Sequence, residues 1–209
     1  GIQVSLVEDK TVWNTDEPIA GMSNVLTGVR SERWLGATNR YTNLVFENKS
    51  YVPFTREIVF ASHLVGATSL DTDRGHYIAG GDVLFLGSPF MQDEFSIRGY
   101  GLGEFNGENV LVYNAEFRFP IIRGINFALW PYNWLYINRL KGAIFDDIGF
   151  FWDGRQKFPW NNNKNSIGFG FRLHTFLLES APVILRFDIA KRTDSPAGAV
   201  LHFGLTHMF

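Results

Sequence analysis

The chain has no cysteine, only six lysines and few charges of any kind. Asp, Glu, Lys and Arg make up 19% of its 209 residues, against about a quarter in an average soluble domain. Without cysteine there is no disulfide framework and no thiolate metal site. Acidic and basic residues nearly cancel, to a net charge of −2 and a pI near 6.2, so no basic surface for nucleic acid is expected. No apolar run approaches the ~18 residues of a transmembrane helix. Gly1 does not open a basic segment followed by an apolar stretch, so no leader peptide is expected within these residues.

What the chain has instead is aromatic weight. Aromatics reach 16%, with twenty Phe, and Gly occurs 21 times. That composition excludes intrinsic disorder, which goes with few aromatics and much charge. Hydrophobic residues are 45% of the chain, yet the mean hydropathy is only −0.04, so apolar and polar residues must be interleaved.

The interleaving has a period of two, the signature of strands. Ile167, Phe169, Phe171 and Leu173 oppose Gly168, Gly170, Arg172 and His174. Val183, Leu185, Phe187 and Ile189 oppose Arg186, Asp188, Ala190 and Arg192. Leu111, Tyr113, Ala115, Phe117 and Phe119 oppose Asn114, Glu116 and Arg118, and Leu201, Phe203 and Leu205 oppose His202 and Gly204. Leu140 to Trp152 is apolar on both faces. In the first half, strands are expected at Ile2–Val7, about Met22–Trp34, about Thr42–Tyr51 and Ile58–Leu70. About nine strands result, with one long interruption at Asp71–Asn106, and no segment carries a helical stripe.

An all-β chain of this kind is either a soluble β-sandwich binding module or a transmembrane antiparallel β-barrel. The polar face carries Gly, Asn, His, Arg and single carboxylates instead of abundant Lys and Glu, which suits a lumen, while Phe, Leu and Ile suit lipid. Trp13, Trp34, Trp130, Trp134, Trp152 and Trp160 all fall near expected strand ends, as an interfacial belt requires. The barrel is therefore the expected fold. No enzyme, cofactor or metal site is expected: the histidines at 63, 76, 174, 202 and 207 form no ligand pair, and no nucleophile elbow is present. The Asn161–Asn165 run reads as a turn tip. Lys10, Arg30, Arg33 and Arg40 read equally as lumen charge or as lipopolysaccharide contacts.

Three segments in the second half go beyond pattern: Ser96-Ile97-Arg98-Gly99-Tyr100-Gly101 in the long interruption, Asn114-Ala115-Glu116-Phe117-Arg118-Phe119-Pro120, and Phe145-Asp146-Asp147-Ile148-Gly149. In this order they resemble the BamA/TamA superfamily, the bacterial surface antigen family of outer-membrane barrels that insert other barrels or translocate proteins. Asp9 through Gly21, with Asn14 and Pro18, is similar to a turn of such barrels. The end of the chain is similar to the outer-membrane β-signal at His202, Gly204 and Phe209, with His207 departing from it in an aromatic slot. Asp146 is a second departure, and alternation aims it at lipid.

The resemblance implies a loop of about 71–106 folded into the barrel, with Arg98, Gly99 and Tyr100 at its tip and Glu116 and Asp147 as its partners on the wall. A guanidinium suits two carboxylates because its donors form a planar fork. Five expected strands follow the loop and about four precede it, whereas family barrels have roughly sixteen and bacterial barrels an even number. Residues 1–209 are therefore expected to be the C-terminal part of a single barrel domain. Residues before Gly1 or another chain would complete the wall. The function implied is insertion, assembly or translocation of proteins at the outer membrane, with Ala199–Phe209 as the seam strand. A passive anchor or export pore for an upstream domain is the alternative. The implied partners are outer-membrane lipid and lipopolysaccharide, client proteins and accessory subunits.

Overall fold

The structure is a computed structural model that describes residues 1–14, 17–71, 73–81, 95–124, 127–129, 132–154, 156–177, 181–196 and 198–205. Its strands are β1 (Ile2–Asp9), β2 (Val12–Asn14), β3 (Glu17–Ser31), β4 (Tyr41–Pro53), β5 (Val59–Leu70), β6 (Tyr77–Ala79), β7 (Phe105–Gly107), β8 (Asn109–Ile122), β9 (Phe127–Leu129), β10 (Tyr132–Trp152), β11 (Lys164–Leu177), β12 (Ala181–Arg192) and β13 (Val200–Leu205). No α-helix occurs among the described residues.

One antiparallel sheet runs β1-β3-β4-β5-β8-β10-β11-β12-β13, with β2 added to β3 and β9 to β10. These are nine long strands, each beside its predecessor, as the alternation anticipates. Within the described residues β1 and β13 are the two edges. The soluble sandwich needs two sheets packed face to face; here the long strands form one. The long interruption is not strandless: β6 pairs with β7 inside it. β10 also starts before the Leu140 to Trp152 stretch, at Tyr132, and its first residues pair with β9.

Register aligns the phenylalanines. Phe119, Gly142, Phe171, Phe187 and Phe203 lie directly opposite one another across five strands. Phe60, Phe117, Ile144, Phe169, Ile189 and Leu201 form a parallel row. Residues of both rows are solvent-exposed, among them Ile144, Phe169, Phe171 and Leu201. Such a wall is stable only against an apolar medium. Asp146 shares this outer face, where it accepts a hydrogen bond from Asn165 Nδ2 at 2.7 Å. Asn165 is thus the second residue of β11 and not part of a turn tip.

The opposite face is buried, and it is not uniformly polar. Val65 and Ala67 of β5 and Val110 and Val112 of β8 pack against Ala79, Phe95, Ile97 and Tyr100 of the long interruption. The segment therefore lies inside the curve of the sheet on an apolar bed. This explains why β10 reads as apolar on both sides: Ile144 faces outward, while Phe145 is buried inside.

The long connections, 32–40, 71–108, 153–163 and 193–199, leave from one end of the sheet. Trp34 and Trp160 are highly exposed there, and Trp152 and Trp160 join Phe150 and Phe158 in one ring cluster. Trp13 is exposed on β2, near the other end. Trp130 and the side chain of Trp134 lie outside the described residues. Lys10 pairs with Glu8, while Arg30 holds Glu32 and Asp71, and Arg40 lies 3.4 Å from Glu32.

The outer face predicts its own test. Phe171→Arg, in mid-strand on that face, should lower barrel stability in lipid vesicles by about 2–4 kcal/mol. Denaturant unfolding of the full-length protein measures it, and an unchanged midpoint would mean that the face does not meet lipid.

Candidate functional site

The sheet brings Asp147 and Phe145 to the same inner face because they are two apart on β10, and Glu116 lies directly opposite Phe145 on β8. Arg98 enters this corner from the loop. Its Nε donates to Asp147 Oδ2 and its Nη2 to Asp147 Oδ1, both at 2.8 Å, a bidentate pair. Its Nη1 donates to Glu116 Oε2 at 2.9 Å and to Asp188 Oδ2 of β12 at 3.3 Å. The backbone N–H of Arg98 adds a bond to Asp147 Oδ2 at 3.0 Å. The guanidinium lies 3.4 Å from the centroid of the Phe145 ring, so its flat face is covered while its edge makes ion pairs. None of these four charged side chains reaches solvent.

Asp188 is two strands from Phe145, and β11 lies between them. It can reach the corner because β11 has Gly170 opposite it. A Cβ on Gly170 would stand on the Asp188 carboxylate. The loop tip has a matching requirement. Gly99 has φ 89°, a conformation that disfavours any side chain, and a Cβ there would touch Ala190 and Ser166 on the wall at 3.4 Å.

Further groups fix the tip. Gly99 N–H donates to His202 Nε2 of β13 at 2.8 Å, and Arg192 Nε of β12 donates to Gly99 O at 2.7 Å. Arg192 also holds Glu104 at 2.9 and 2.6 Å and lies over the Tyr100 ring at 4.3 Å. The Tyr100 hydroxyl donates to Asn165 O at 3.1 Å. Asn114 Nδ2 donates to Ser96 O at 3.0 Å, and Asn114 Oδ1 meets His63 Nδ1, whose ring in turn meets Glu47.

The carboxylates are shared. Glu116 also receives Arg118 Nε and Arg172 Nη2, each at 2.9 Å. Asp188 takes Arg172, with Arg186 Nε 3.5 Å away. Sequence reasoning places Arg98, Gly99, Tyr100, Glu116 and Asp147, and the structure brings them together. Reasoning from sequence missed Asp188, Arg172, Arg192 and the stacked Phe145. The signal for the three charged residues was the polar face of β11 and β12, which shows that they face inward but not whom they meet; Phe145, on β10, carried none. His202 and Gly204 face inward from β13, with Gly204 beside the Arg186 guanidinium. His207 and Phe209 lie outside the described residues. No group of His, Asp or Glu able to hold a metal occurs among the described residues. What the arrangement can do is hold a loop, since every charge is engaged by another.

A curved antiparallel sheet, apolar outside and ionically clamped to a loop inside, is the wall of a transmembrane β-barrel. The Omp85 superfamily domain model matches residues 13–209, and the chain belongs to that superfamily of outer-membrane protein-assembly and translocation barrels. Among solved structures it is similar to BamA from Haemophilus ducreyi lacking POTRA domains 1-3, with 16% identity and a TM-score of 0.64. The match covers 98% of this chain and 41% of that one, so the likeness is one of fold to part of a larger protein. Comparison with curated proteins returned no match.

Removing one member of a buried ionic group strands the others, at a cost of about 3–5 kcal/mol. Asp147→Ala should therefore expose the loop to protease in the folded full-length barrel. Arg98→Lys should do the same, because an ammonium reproduces neither the fork nor the stack. Cleavage as slow as in the unsubstituted protein would show that the ion pairs do not hold the loop.

Proposed function

We propose that residues 1–209 are the C-terminal part of a single barrel domain in the bacterial outer membrane, and that the whole protein inserts, assembles or translocates other proteins there. The observation that carries the reading is the Arg98 anchor. A buried bidentate guanidinium bound to wall carboxylates keeps the tip of the loop inside the barrel, where a simple open pore has no need of it. In this reading Arg98, Gly99, Tyr100, Glu116 and Asp147 form the loop clamp. The terminal segment with His202, Gly204, His207 and Phe209 serves as the assembly signal and seam strand.

No catalytic step and no cofactor are involved. The work comes from the client, because each strand that pairs and each apolar side chain that leaves water is downhill. The partners are outer-membrane lipid and lipopolysaccharide, the client proteins, accessory subunits, and whatever completes the wall; nucleic acid is not among them.

Arg98→Ala in the full-length protein tests the reading in cells. The variant should still reach the membrane as a folded barrel, recognised by its heat-dependent shift on gels. Client outer-membrane proteins should fall several-fold. A folded variant with a loosened loop and undiminished clients would make the barrel a passive anchor or pore.

A further inference from the structure

The tip of the loop is held at a single residue, Gly99, from two strands. The Gly99 carbonyl accepts from Arg192 Nε on β12, and the Gly99 N–H donates to His202 Nε2 on β13. The second bond joins residues 103 apart and reaches the edge strand. Within the described residues that strand pairs with β12 from Leu185↔Leu205 to Ala190↔Val200. We propose that His202 is the positioning residue that ties the loop tip to the terminal strand, and that the tie opens when the imidazole takes up a proton.

The chemistry follows from the direction of the bond. Gly99 has only a donor to offer at this point, so His202 Nε2 must be unprotonated and the ring neutral. Protonation turns Nε2 into a donor facing another donor, and the bond is lost. Facing His202 are Asp188, Arg186 and Arg192 from β12, Arg98 from the loop and Asp147 from β10. Both carboxylates are already committed, Asp147 to Arg98 and Asp188 to Arg98 and Arg172. The remaining neighbours are guanidiniums. A proton on His202 therefore releases the tip from β13, while the Arg98 ion pairs, which do not involve the imidazole, stay in place. The loop and the edge strand are thus separable by one proton.

This inference rests on the loop being seated as the proposed clamp describes, but its test does not involve a client. Leu102 is exposed on the loop and Leu201 on the outer face of β13. Spin labels at Leu102→Cys and Leu201→Cys in the full-length protein, reconstituted in lipid vesicles, report the distance between the two elements. In the His202 protein the distance distribution should widen as the pH falls from about 8 to about 5. In His202→Gln, whose amide oxygen accepts but does not titrate, the distribution should not depend on pH. A His202 protein indifferent to pH overturns the proposal, and so does a Gln variant that widens as the His202 protein does. If clients are unaffected by Arg98→Ala while the pH response persists, the assembly role falls and the tether stands.

Discussion

A guanidinium with no access to water is the constraint on which the inner face is built. Burying a charge is tolerable only when every donor finds an acceptor and the opposite charge is close. Around Arg98 that requirement propagates outward in steps. Two carboxylate oxygens of Asp147 match the fork, Glu116 and Asp188 take the remaining nitrogen, and Phe145 covers the flat face. Those carboxylates need further cations, which Arg118 and Arg172 supply. Gly170 leaves room for Asp188, and Gly99 lets the backbone bring the guanidinium down to the wall. Replacing any of these residues alone changes the terms on which the charge is buried, so the corner behaves as one unit.

The inner wall divides by what lies on it. Where β5 and β8 meet the loop, the wall is Val65, Ala67, Val110 and Val112, and the loop answers with Phe95, Ile97 and Tyr100. Burial of these side chains is favourable without any partner geometry. Where β10, β11 and β12 meet the tip, the wall is ionic and its geometry is specific. The apolar half supplies adhesion and the ionic half supplies position. The tip of the loop, Arg98 to Tyr100, therefore belongs mechanically to the strands after it, since its directional bonds run to β8, β10, β11, β12 and β13.

The strands were legible because lipid on one side and a wet or ionic interior on the other impose a period of two on every long strand. That is why the nine strands, their order of appearance and the outward direction of Asp146 could be read. The pattern blurred in β10 for a physical reason: Phe145 faces inward as the platform for a cation, and a period-two reading counts it as grease. Arg98, Glu116 and Asp147 were legible through a family resemblance, not through spacing, which is silent about contacts 18 and 49 residues apart. Asp188, 90 residues from Arg98, and His202 were not legible as partners of the loop. Register between strands decides them, and register depends on the turns and bulges of the whole sheet.

Register also creates a problem that the inner face has to solve. Lys141, Arg172 and Arg186 lie directly opposite one another on β10, β11 and β12, and like charges so placed destabilise a sheet. The anions that offset them come from other rows and other strands. Glu116 and Asp188 draw Arg172, and Asp188 lies beside Arg186. Lys141 is met by Glu17, at the start of β3 and 124 residues away. Since β3 and β10 are separated by β4, β5 and β8 in the sheet, this ion pair spans the inside of the curve. A flat sheet would leave Lys141 without Glu17. The curvature that lets lipid surround the outer face is thus the same curvature that brings opposite charges together within, and the fold and its ionic interior stand or fall together.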